Sequence, residues 1–233
     1  MEKSIVILHG WKSNLKNWEE LKKKLENKYK VYLPQLPGFG NNKLTCPYDL
    51  NDYVLWIKNY LKKEKIKKPI LIGHSFGGRI VIKLAATNSN ISKAILIAAA
   101  GIKPKNSTKK IIGMVLAKTG KVFFNLTIFS CLKKPAKKIL YKILREKDYY
   151  EADEVLKKTM KKIINTDLTK ELDKIKVPTL ILWGKKDKQT PITDAYLIRS
   201  KIINSKILVW ENESHALPFT KSDEVAKAVQ NFC

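Results

Sequence analysis

The chain has 233 residues, 44% of them hydrophobic, which suits one α/β domain with a buried sheet and an inserted subdomain. No apolar run approaches the roughly eighteen residues of a spanning helix, and the opening MEKSIVILHG lacks an apolar leader with a cleavage site, so a cytoplasmic protein is expected. The formal charge of +25 comes from 46 basic residues, but only Arg79, Arg145 and Arg199 are arginines and the lysines are spread over the whole chain; this reads as a lysine-rich solvated surface with no specific nucleic-acid site, and leaves weak contact with anionic membranes or substrates open.

Short β-branched runs alternate with amphipathic stretches. Ser4–Leu8 reads as a buried strand, 15–29 as a helix capped by Ser13 or Asn14, and 30–33 as a second strand ended by Pro34 and Pro37. A helix over 49–64 places Tyr53, Trp56, Ile57, Tyr60 and Leu61 on one face. Then come a strand at 70–72, a helix at 76–86 and a strand at 94–98. After a long interruption follow a strand at 179–183, a helix at 191–203 opened by Pro191, a strand at 206–210 and a helix at 222–232. This alternation predicts right-handed crossovers and a doubly wound, mainly parallel sheet of about six strands in the order 2-1-3-4-5-6. Ligands bind such sheets at the carboxyl ends of the strands, where the order reverses; here that point lies between the first and third strands.

Between Gly101 and Lys176 no strand pattern appears. The segment is helical in character and far too long for a loop, so residues 102–176 are expected to form a helical cap inserted into a core of 1–101 and 177–233. The three cysteines, Cys46, Cys131 and Cys233, are widely spaced, and His9, His74 and His215 are not at metal-ligand spacing. No disulfide framework, metal or other cofactor is expected.

Gly73-His74-Ser75-Phe76-Gly77, followed by Gly78, matches G-x-S-x-G with a strand before it and a helix after it. That context presents a serine hydroxyl at the sheet edge on a strained turn, and the glycines leave room for the neighbouring strand and helix. A phosphate-binding turn is the rival reading, but no Walker lysine follows. Asp187, in Trp183-Gly184-Lys185-Lys186-Asp187, stands after the fifth strand, and His215 lies between the last strand and the last helix. A serine hydroxyl is a weak nucleophile at neutral pH, so a histidine base held by an acid is the partner it needs.

With these motifs the chain resembles the α/β-hydrolase superfamily over nearly its full length, in the chain order Ser, Asp, His. The resemblance implies a catalytic triad of Ser75, His215 and Asp187. It further implies an oxyanion hole made by the backbone N–H groups of Phe76 and of Trp11 in His9-Gly10-Trp11; a core indole is the competing role for Trp11. The usual leading hairpin is missing, which leaves the second strand a possible sheet edge. His9, Phe124, Phe129 and Leu217 are expected at the substrate pocket, although His9 and His74 also suit bracing of the site turns. Leu36-Pro37-Gly38-Phe39-Gly40 reads as a structural turn. The uncharged run 122–132 of the cap would roof the cleft with apolar side chains. The expectation is a serine esterase that cleaves a small apolar ester through an acyl-enzyme; alternatives are a carbon–carbon bond hydrolase and a non-catalytic ligand-binding member. The oligomeric state is left open.

Overall fold

A computed structural model describes residues 3–87, 90–102 and 154–233. Six parallel strands, β1 (Ser4–Leu8), β2 (Lys30–Tyr32), β3 (Ile70–His74), β4 (Lys93–Ile97), β5 (Thr179–Gly184) and β6 (Ser205–Trp210), form one sheet in the order β2-β1-β3-β4-β5-β6. Ile7 is in register with Ile72, Ile72 with Ile95, and Ile95 with Leu180. Strands covered on both faces need apolar residues at successive positions. Accordingly Ile5, Ile7, Ile72, Ile95 and Leu180 bury on one face and Val6, Leu8, Leu71, Leu96 and Ile181 on the other.

On the first face lie α1 (Glu19–Glu26) and α6 (Ser222–Phe232), joined through Leu21, Leu25, Val225 and Val229. On the second lie α2 (Leu50–Lys63), α3 (Phe76–Ala86) and α5 (Ile192–Lys201). Asp49 caps α2 reciprocally with Asp52: Asp52 N–H donates to Asp49 Oδ1 at 3.1 Å, and Asp49 N–H to Asp52 Oδ2 at 2.7 Å. The helix expected over 15–29 is divided into a 3-10 turn, Leu15–Trp18, and α1. Trp18 is fully buried and its indole N–H donates to Ser13 Oγ at 3.0 Å, which draws the first turn tight.

The last part of the segment expected as a cap contains α4 (Glu154–Asn165), whose Leu156 and Ile163 join the apolar cluster of α2 and α3, as do Leu168 and Leu172 beyond it. Gly101 O accepts from Leu168 N–H at 2.9 Å, and Thr159 Oγ1 accepts from Tyr48 N–H at 3.0 Å. This stretch is therefore docked on the sheet domain. The turns after β1 and β3 emerge side by side at the carboxyl edge of the sheet.

Candidate active site

The β3–α3 turn is built around Ser75, whose φ of 51° and ψ of −113° are a strained conformation for a residue with a side chain. Its N–H donates to Ile97 O at 3.1 Å, and its carbonyl accepts from Gly78 N–H and Ala100 N–H, both at 3.0 Å. The flanking glycines are a steric necessity. A Cβ on Gly73 would stand 2.6 Å from the Gly77 carbonyl oxygen; one on Gly77 would fall on the Leu8 carbonyl, and one on Gly78 on Ala99. The backbone thus wedges the Ser75 turn between β1 and the chain that leaves β4. Phe76 is the first residue of α3, so its N–H has no acceptor within the helix and lies at the positive end of the dipole.

The neighbouring turn runs from Gly10 to Ser13, closed by Ser13 N–H donating to Gly10 O at 3.2 Å. Its approach to Ser75 is close enough that a Cβ on Gly10 would stand 3.5 Å from Ser75 Cβ and 3.0 Å from His74 Nδ1. The Trp11 ring packs edge-on against Phe76 at 5.3 Å and Phe39 at 5.0 Å. The two residues expected to supply oxyanion donors are thereby fixed against each other through their side chains.

His215 Nδ1–H donates to Asp187 Oδ2 at 2.7 Å. The Asp187 side chain is completely buried, while that of His215 is 15% exposed. Asp187 Oδ1 accepts from Gln189 N–H at 2.7 Å and Thr190 N–H at 3.0 Å, and the Thr190 hydroxyl lies 2.8 Å from Oδ2. Burial alone would raise the Asp187 carboxyl, but the bond and charge of His215 and the Thr190 bonds hold it below the ordinary aspartate value. The carboxylate therefore meets the imidazole in its ionised form. Gly184 makes room for this loop, since a Cβ there would strike the main chain at Glu213 and Ser214.

Ser75 and His215 line one cleft of about 500 Å³, together with Trp11, Phe76, Arg79 and Phe219. Met160, Ile163 and Ile164 of α4 form an apolar wall over it. All four expected pocket residues are placed elsewhere or lie outside the described residues. His9 is fully buried behind the turn and does not line the cleft: its Nδ1–H donates to Gly10 O at 2.7 Å and its Nε2 accepts from Leu36 N–H at 3.1 Å. An accepting Nε2 requires neutral imidazole, in keeping with burial lowering the His9 value. Phe124 and Phe129 lie outside the described residues. Leu217 also departs from expectation, because it is fully buried in the cluster with Val225 and Val229. Two residues further along the same helical turn, roughly 200° around it, Phe219 reaches the cleft instead.

Arg79, Gln189, Phe219 and the α4 residues were not singled out by sequence. Arg79 had a signal: it stands in the first turn of the helix that Ser75 precedes, one turn from it in sequence. Thr190, which supports Asp187, had only its place in the same loop. Among the described residues no group of histidine, cysteine and acidic side chains is arranged to hold a metal ion, and no helix is long and apolar enough to cross a membrane.

The profile of the alpha/beta hydrolase fold matches residues 3–166. An uncharacterized hydrolase of Bacillus subtilis (strain 168) is 24% identical over 98% of this chain and 89% of its own length. A pimeloyl-[acyl-carrier protein] methyl ester esterase of Wigglesworthia glossinidia brevipalpis is 28% identical over 93% of this chain and 87% of its own. Among solved structures, a lipase-esterase related protein of Clostridium acetobutylicum ATCC 824 superposes with a TM-score of 0.73 at 21% identity, covering 99% of this chain and 94% of that one.

Proposed function

Because the chain belongs to the α/β-hydrolase family, we propose that it is a serine hydrolase that cleaves a carboxylic ester through an acyl-enzyme. The observation that carries this reading is the 2.7 Å bond between His215 and buried Asp187, on a histidine that lines the same cleft as strained Ser75. Ser75 Oγ attacks the ester carbonyl while His215 Nε2 takes its proton. Asp187 holds Nδ1–H, which leaves Nε2 as the basic nitrogen and stabilises the imidazolium that forms. The N–H groups of Phe76 and Trp11 stabilise the tetrahedral oxyanion, and His215 returns the proton to the leaving alkoxide. Water then repeats the sequence on the acyl-enzyme. The name of the esterase relative supports an ester as the scissile group. The apolar wall of Met160, Ile163 and Ile164 suits an aliphatic segment of the substrate; of the expected cap, residues 103–153 lie outside the described residues.

The test is pre-steady-state hydrolysis of a p-nitrophenyl ester. An acyl-enzyme predicts a burst of p-nitrophenol matching the enzyme concentration when deacylation is the slow step. Absence of any esterase activity from folded protein across short and medium acyl chains would contradict the proposal.

A further inference from the structure

Arg79 is half-buried in the cleft wall one helical turn beyond Ser75, about 6 Å along α3. Its Nη1 donates to two carbonyls at the end of α4, Ile163 O at 3.0 Å and Thr166 O at 2.9 Å. Those bonds occupy both hydrogens of that nitrogen. The Nε–H and the Nη2 pair have no recorded acceptor among the described residues. A guanidinium at a helix C-terminus is well placed against the dipole, so these contacts fix the cation rigidly where it stands.

Among the described residues that line the cleft with Arg79, none is an aspartate or glutamate. Asp187 is buried behind His215 and committed to it. Asp167 and Asp194 act on Arg79 through space, and no ion pair between it and a carboxylate is recorded among the described residues. Burial pushes the guanidinium down to about 10, so it is still a cation at neutral pH. A partly desolvated cation without an ionic partner is costly, and such a group in a cleft is a mark of ligand recognition.

We propose that Arg79 binds a carboxylate carried by the substrate, so that the cleft takes esters whose acyl chain ends in a carboxylate. The inference rests on Ser75 being the ester nucleophile and adds the class of substrate. The scissile carbonyl sits at Ser75, the free hydrogens of Arg79 form charge-assisted bonds to the far carboxylate, and the methylenes between them lie against Met160, Ile163 and Ile164.

The test compares the monomethyl esters of succinic, glutaric and adipic acids with the corresponding ester amides, which are isosteric but uncharged. The wild type is expected to favour at least one carboxylate ester over its amide by about tenfold or more in kcat/KM, the worth of one charge-assisted bond. That preference should persist in about 0.5 M salt, where the general field of a basic protein is screened. Arg79→Gln should collapse the ratio, lowering kcat/KM for the carboxylate ester far more than for the amide. A wild type that treats ester and amide alike, a preference abolished by salt, or an Arg79→Gln ratio equal to wild type would each overturn the assignment. If the variant does not fold, the wild-type ratio and its salt dependence decide. Failure of the underlying reading looks different: neither compound is cleaved and an active-site phosphonate leaves Ser75 unmodified.

Discussion

His74 donates its Nε2–H to the main-chain carbonyl of His215 across 3.0 Å, and the two imidazole rings lie 4.8 Å apart. The residue before the proposed nucleophile therefore holds the loop that carries the proposed base. Trp18 and Phe219 pack against the same ring at 5.7 Å each, which leaves it little freedom. His74→Leu should lower kcat by about tenfold or more with little change in KM, because one buried carbonyl loses its donor and the base loses its register. His74→Gln, which can restore a donor, should recover most of that loss. Steady-state kinetics of the two variants decide; equal rates in both would remove His74 from a positioning role.

The same residue predicts an acid limb in stability. Burial, then the charge of His215, push His74 down to about 3, against 6.5 when exposed. In this window the unfolded chain binds a proton that the folded one refuses. Stability is thus unaffected above the exposed value and falls as pH drops from about 6.5 towards 3, by up to about 1.4 kcal/mol per pH unit. His9, also lowered by burial, adds in the same direction. Urea midpoints measured from neutral to mildly acid pH should decline in the wild type and less steeply in His74→Gln. Parallel slopes would contradict the account. Asp187 works in a different window: its depressed folded value adds stability above 3.8 that disappears only at lower pH.

Asp187 and Thr190 should separate in size. Asp187→Asn leaves a side chain that no longer selects the Nδ1–H tautomer, and kcat should fall about 10³–10⁴-fold. Thr190→Val removes one hydroxyl 2.8 Å from Oδ2 but leaves the Gln189 and Thr190 N–H bonds to Oδ1. Its effect should be about tenfold, the worth of one buried hydrogen bond. A Thr190→Val loss as large as that of Asp187→Asn would show that the hydroxyl, and not the carboxylate, governs the histidine.

Gly77→Ala tests the steric account of the nucleophile turn. Its Cβ would collide with the Leu8 carbonyl, a backbone group that cannot move without distorting β1. A loss of about 3 kcal/mol or more is expected, read as a large drop in Tm or as insoluble protein. Wild-type stability would mean that the turn is looser than described.

Much of the fold was legible in the sequence because its signals are local. The glycines around Ser75, the β-branched strands and the unbroken patterns of α3 and α6 each follow from neighbours within a few residues, and the strand order follows from chain alternation. What escaped depends on distant contacts. Trp18 breaks the first helix because of what buries it. Leu217 and Phe219 exchange roles because only the packed sheet tells the two faces of that turn apart. The placement of Arg79 is fixed by carbonyls of Ile163 and Thr166, more than eighty residues away. The dual reading of His9 was settled by Leu36, whose N–H it accepts.

The central claim is that Ser75 is a nucleophile activated by His215. The most direct measurement is reaction with a fluorophosphonate, followed by intact mass and peptide mapping, on the wild type, Ser75→Ala and His215→Ala. A single adduct on Ser75 in the wild type, none in Ser75→Ala and strongly slowed labelling in His215→Ala are predicted. A folded wild type that resists the probe, or an adduct on any other residue, would contradict the account.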